Sequence, residues 1–249
     1  MARFVAVGLV AGFISGMFGV GGGLIMVPLL ILVAHLDQRQ ASATSLFAIV
    51  PTATVGAIGY AVKAEVAWLP ALLVAVGGMG GSLLGARLLR RIAVKKVTWG
   101  FVGLQVATAL VMLFYVPQRA ASLGTGPGIW IGLVALGLVM GLCAGLFGVG
   151  GGIIAVPALM GIFGAGDLLA RGTSLVVMVP TAITGTVSNW RHGLVQVPAA
   201  LATGLSAMAS SWAGTWAAAA VSPKVGNLAF AGILAIGAWQ LSRKNLRRS

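Results

Sequence analysis

Residues 8–31, GLVAGFISGMFGVGGGLIMVPLLI, decide the fold because the chain contains them twice. Residues 137–160, GLVMGLCAGLFGVGGGIIAVPALM, align with them without a gap at an offset of 129, with 15 of 24 positions identical. The same offset pairs 41–56, ASATSLFAIVPTATVG, with 170–185, ARGTSLVVMVPTAITG, where 9 of 16 positions agree. One offset holding over two separate blocks marks a duplicated unit. The chain therefore divides into a first repeat, 1–116, a second repeat, 128–249, and a polar linker between them, 117–127, PQRAASLGTGP.

The composition names the solvent. Of 249 residues, 59% are apolar and 8% charged, where a water-soluble surface needs about a quarter charged. The runs 40–62, 66–86, 97–118, 172–190 and 225–242 carry no Asp, Glu, Lys or Arg, and each is close to the roughly 20 residues that cross a bilayer. Trp68, Trp99, Trp130, Trp239, Tyr60 and Tyr115 fall near the ends of apolar runs, as an aromatic belt requires. Trp212 and Trp216 lie inside a run and read as helix packing or lipid contact. The net charge of +13 would suggest nucleic acid for a soluble domain. Here the cations cluster at helix ends, as at Arg87, Arg90, Arg91, Lys95 and Lys96, so they report membrane orientation and no nucleic-acid partner is expected. A single cysteine, Cys143, excludes an internal disulfide and any paired-cysteine redox or metal motif. The apolar N-terminus lacks the pattern of a cleaved signal and reads as part of the fold.

Residues 4–34 form an uncharged stretch interrupted by Gly19-Val20-Gly21-Gly22-Gly23. As one helix it would be about 46 Å long, well beyond a hydrocarbon core of roughly 30 Å, yet it is too short for two spans. Two helical segments joined by an unwound glycine turn fit, either as a re-entrant hairpin or as a broken span. If both glycine segments cross fully, the sixteen cations divide eight to eight. If both turn back, six helices span and the division becomes twelve to four, with both termini on the cytoplasmic side. A mixed arrangement gives eleven to five, so charge alone does not choose, but equal treatment of equal repeats favours two hairpins. The expected fold is thus an all-α polytopic membrane protein of two inverted repeats, each a Gly-broken re-entrant helical hairpin plus three transmembrane helices.

An unwound backbone inside a bilayer must be buried in protein or line a polar cavity. The N–H groups that open the second helical segment, near Gly22 to Leu24 and Gly151 to Ile153, lack intrahelical partners and carry a positive dipole end. Such ends attract anions. The expected binding residues are the turn glycines Gly19, Gly21, Gly22, Gly23, Gly148, Gly150, Gly151 and Gly152. Hydroxyls and an amide join them: Thr44, Ser45, Thr52, Thr173, Ser174, Thr181 and Asn189. Phosphate-loop readings fail, since no Lys follows the glycines and Leu24 and Ile153 occupy the last glycine position of GxGxxG. The only carboxylates, Asp37, Glu65 and Asp167, fall at expected loops, so neither a carboxylate proton relay nor a metal site is expected.

The duplicated FGVGGG with its downstream proline, followed by TSL and PTA, resembles the TauE/SafE family of sulfite exporters over nearly the whole chain. The resemblance implies a secondary transporter of small anions, sulfite or organosulfonates, in the cytoplasmic (inner) membrane, working by alternating access without a cofactor. Substrate, direction, coupling and oligomeric state stay open. The nearest rival is an anion channel using the same glycine turns as its filter. An enzyme is not expected, because a nucleophile needs a partnered base and the two histidines, His35 and His192, lie at helix ends.

Overall fold

The computed structural model describes residues 1–114 and 126–246, with side chains to residue 243. Every regular element among them is an α-helix: α1 (Ala2–Phe18), α2 (Gly23–Val33), α3 (Gln38–Ala61), α4 (Trp68–Arg91), α5 (Val94–Phe114), α6 (Pro127–Phe147), α7 (Gly152–Gly161), α8 (Asp167–Trp190), α9 (Val197–Ala220) and α10 (Pro223–Leu246). The linker 117–127 lies almost wholly outside the described residues. Helices α1 to α5 and α6 to α10 correspond one to one, as the repeat requires.

The glycine run ends one helix and starts the next by simple backbone chemistry. Gly19 and Gly148 close α1 and α6 in the left-handed region, at φ 70° and 74°. Gly22 and Gly151 then open α2 and α7, again left-handed, at φ 72° and 84°. Residues with a Cβ resist that conformation, so only glycine serves at both corners. The second arm doubles back beside the first. Arg3, Val7 and Val10 of α1 line one groove with Leu29, Val33 and His35 at the far end of α2. Correspondingly, Gly132 of α6 approaches Phe163, just beyond α7.

The arms are unequal. At 1.5 Å per residue, the 17 residues of α1 and 21 of α6 extend about 26 and 32 Å, whereas α2 and α7 reach only about 15–17 Å. Among the described residues, six helices are long and apolar enough to cross a membrane: α3, α4, α5, α6, α8 and α10. Compared with the sequence reading, α6 enters that group as a whole span. The 24-residue α9 does not, because its sequence, VPAALATGLSAMASSWAGTWAAAA, trades large apolar side chains for Ala, Ser, Thr and Gly.

That small-residue surface seats α1. Residues 8, 12 and 16 of α1 meet 203, 207 and 211 of α9 in order, so the two helices run parallel with backbones almost touching. The equivalent seam joins α4 and α6, where a side chain at Gly81 or Gly85 would overlap the carbonyl of Leu138 or Leu142. Close backbone approach through small residues is the usual way helices adhere in lipid. Between these seams α3 and α8 cross with opposed ends. Phe47 near the start of α3 packs on Trp190 at the end of α8, at 5.7 Å, while Gly56 faces Leu175. The stacks Phe18–Phe230 and Phe101–Phe147, equivalent in the repeat, close the two flanks.

Helix ends gather into two groups. At one end Arg39 donates to the Ile92 carbonyl at 2.7 Å, Thr44 meets the Gln196 N–H, and Arg90 meets Ser188. At the other, Lys63 donates to the Thr215 carbonyl and Thr173 meets the Ala67 N–H. Arg3, Arg39, Arg87, Arg90, Arg91 and Arg191 share the first end, making it strongly basic. One aromatic expectation changes. Tyr60 is fully buried and donates to the Gly16 carbonyl at 2.9 Å instead of resting at a membrane surface. Trp216 lies one turn from the end of α9, where the Lys63 ammonium stacks 4.2 Å from its ring centre. Burial lowers the Lys63 pKa, with Glu65 opposing.

Candidate functional site at the paired glycine turns

The two glycine turns touch each other. A side-chain carbon at Gly23 would lie 2.8 Å from the Cα of Val149, and one at Gly152 would lie 2.7 Å from the Cα of Val20. The Gly148 carbonyl sits beside Gly23, and the Gly19 carbonyl beside Gly152. The opening turns of α2 and α7 thus converge, each facing a carbonyl of the opposite repeat. Two positive dipole ends in apposition are unfavourable unless negative partial charge stands between them.

Ile49 and Met178, equivalent residues at the midpoints of α3 and α8, fill the remaining space. A Cβ at Gly21 or at Gly150 would overlap the Met178 methyl and come within 3.3 or 3.2 Å of Ile49. Val20, Val149, Ile49 and Met178 are each at most 2% exposed. Ile49 and Met178 therefore pack directly against both turns, and the turn glycines border none of the four lateral grooves lined by other residues.

The expected hydroxyls separate by what they touch. Thr44 and Thr173 accept the N–H of Gln196 and Ala67, both at 3.0 Å, so each caps the approach to α9 or α4. Thr52 and Thr181 donate to carbonyls four residues earlier, those of Ala48 and Val177, both at 2.8 Å. This back-bonding leaves the oxygen lone pairs open. Ser45 donates to the Gly148 carbonyl at 2.9 Å and so holds one turn directly. Its counterpart Ser174 is fully buried and has no hydrogen-bond partner among the described residues. Asn189 is also fully buried, with both amide atoms unpartnered. It occupies the position that Tyr60 holds in the first repeat, but its shorter side chain makes no equivalent bond.

Arg171 is the residue that sequence reasoning passed over. It is 3% exposed, donates to the Met17 carbonyl at 2.9 Å, and lies 3.6 Å from Asp167. Asp167 does not lie in a loop as expected; it is the fully buried first residue of α8. The first repeat builds the same bracket from neutral groups: Gln38 donates to Ser42 at 3.2 Å, and Ser42 donates to the Phe147 carbonyl at 3.0 Å. The signal was available, since Arg171 opposite Ser42 is the one charge inside the otherwise neutral aligned blocks. Intramembrane arginines face protein interiors and mark functional regions. Among the described residues, no group of three His, Cys, Asp or Glu side chains converges as a metal site would require.

Among the described residues, ten helices, six of them long and apolar enough to cross a membrane, with backbone turns buried between the repeats, fit a polytopic membrane protein. Comparison with known proteins agrees. Residues 133–249 match the family model described as sulfite exporter TauE/SafE, so the resemblance carried by the repeated motif is found independently over the second half of the chain. The probable membrane transporter protein YunE of Bacillus subtilis (strain 168) is 26% identical over 235 residues, covering 79% of this chain and 83% of that protein. A probable membrane transporter protein of Xylella fastidiosa (strain Temecula1 / ATCC 700964) is 29% identical over 191 residues, 76% and 73% of the two chains. One from Methanocaldococcus jannaschii is 23% identical over 255 residues, 93% and 91% of the two chains. No solved structure matches.

Proposed function

We propose that the whole chain is a TauE/SafE-type secondary transporter that carries small oxyanions, sulfite or organosulfonates, across the cytoplasmic membrane, with both termini cytoplasmic. The convergence of the α2 and α7 N-termini between Ile49 and Met178 carries this reading. Backbone amides at two opposed dipole ends suit an oxyanion, and the carbonyls of Gly19 and Gly148 hold that place while the site is shut. On opening, an anion replaces the carbonyls, with Thr52, Thr181, Ser174 and Asn189 as its hydroxyl and amide partners.

The repeat arrangement supports alternating access. α3 and α8 run oppositely, and each repeat's first arm packs parallel to the other repeat's α9 or α4, as two inverted halves would. Helices α1–α2 and α6–α7 then act as re-entrant hairpins whose ends return to opposite surfaces. The packing of Ile49 and Met178 over the turns supports an occluded carrier, with an anion channel through the same turns as the rival reading.

The test is sulfite counterflow into proteoliposomes, with taurine, sulfoacetate and sulfate as competitors. Saturable exchange that responds to a trans-side load supports the proposal. A non-saturating conductance, or no flux of any of these anions, would refute it. Bulky replacements at Gly22 or Gly151 are poor probes, because their left-handed backbone couples transport to folding.

A further inference from the structure

The basic end of the bundle carries a cavity of about 440 Å³ between α4 and α8, away from the glycine turns. Arg87 and Arg90 enter it from the last two turns of α4, and Arg191 and His192 from the end of α8. Ser188 and Thr184 form a polar ledge, where Arg90 donates to the Ser188 hydroxyl at 3.3 Å and His192 Nδ1 lies 2.7 Å from the Ser188 carbonyl. Among the described residues that line the cavity none is a carboxylate, and three arginines, Arg87, Arg90 and Arg191, border it. Its lower wall is different. Leu83, Ile183 and Val187 are 37%, 45% and 44% exposed, so below the arginines the cavity continues into an apolar groove open sideways to lipid.

Helix-end cations are expected from orientation alone, but orientation does not ask them to converge around a hydroxyl ledge. The repeat supplies the control. The positions equivalent to Arg87, Arg90, Arg191 and His192 are Trp216, Ala219, Val62 and Lys63, so the same fold at the opposite end makes no arginine cluster.

We infer that this cavity binds the headgroup of an anionic phospholipid in the leaflet at the basic end. The phosphate accepts from the arginine forks and the Ser188 ledge, and an acyl chain lies along Leu83, Ile183 and Val187. Arginine's planar donors suit a phosphate held by two parallel bonds, and basic pockets between transmembrane helices are the usual seats of such headgroups. The inference needs only the bilayer placement of the chain, so it stands or falls apart from the sulfite reading.

The experiment uses the full chain in neutral detergent, titrated with phosphatidylglycerol or phosphatidylcholine and followed by native mass spectrometry and thermal shift. Phosphatidylglycerol is expected to be retained as a stoichiometric adduct and to raise Tm, with phosphatidylcholine bound roughly tenfold less, a preference that charge-assisted bonds readily supply. The combined Arg87→Gln/Arg90→Gln/Arg191→Gln variant should lose the preference, whereas Arg243→Gln, a cation stacked on Trp239 outside the cavity, should keep it. A combined Arg→Lys variant at the same three positions preserves orientation charge and should bind more weakly than the parent. Equal retention of both lipids, an unchanged preference in the Gln variant, or displacement of the lipid by millimolar inorganic phosphate or sulfite would overturn the inference, the last marking an aqueous anion site instead.

Discussion

Ser174 and Asn189 are costly residues with no structural return in the closed protein. A buried polar group without a partner costs about 1–3 kcal/mol, while an apolar replacement of similar shape is neutral or favourable. Their presence is explained if they meet substrate when the turns open. Ser174→Ala and Asn189→Leu should therefore keep or raise Tm while lowering sulfite counterflow at least several-fold; unchanged flux in both would remove them from the site. The Asp167–Arg171 bracket makes the opposite demand. Arg171→Met removes one partner of a buried ion pair and should destabilise by about 3–5 kcal/mol. Asp167→Gln combined with Arg171→Ser copies the Gln38–Ser42 pair of the first repeat and should recover most of that loss in a denaturation assay. Failure to recover would mean that the two brackets are not equivalent devices.

At the scale of helices, stability rests on seams of small residues, because lipid gives large side chains little reason to seek one another. Gly81→Leu should block the α4–α6 seam and leave a protein that aggregates on size exclusion. By contrast, Gly103 of α5 has open space around it, so Gly103→Ala should be neutral or stabilising by up to about 1 kcal/mol. Much at this scale was legible beforehand. The uncharged runs gave α3, α4, α5, α8 and α10 to within about five residues, and the repeated glycines gave the breaks after α1 and α6, since each rests on local backbone chemistry or on bilayer length. Less legible were the unequal arms, because nothing local stops α6 from extending to 21 residues once its surface matches α4. The roles of Thr44 and Thr173 were hidden too: a threonine that caps a distant helix looks the same in sequence as one that faces a cavity. Asp167 misled because carboxylates usually mark loops, and the first repeat fills the same two places with neutral Gln38 and Ser42.

For the molecule as a whole, the turns, the opposed α3 and α8, and the swapped seams describe a bundle shut around its own midpoint. The account requires that midpoint to open. Met178 is its most informative point, because its methyl packs against Gly21 of one repeat and Gly150 of the other. The direct measurement is labelling of Met178→Cys, in a Cys143→Ser background, by a membrane-impermeant thiol reagent applied to each face of oriented vesicles. Slow labelling from both faces, suppressed by sulfite, is the predicted result. A thiol that stays unreactive from both faces while sulfite flux remains intact would contradict a substrate path through the paired turns.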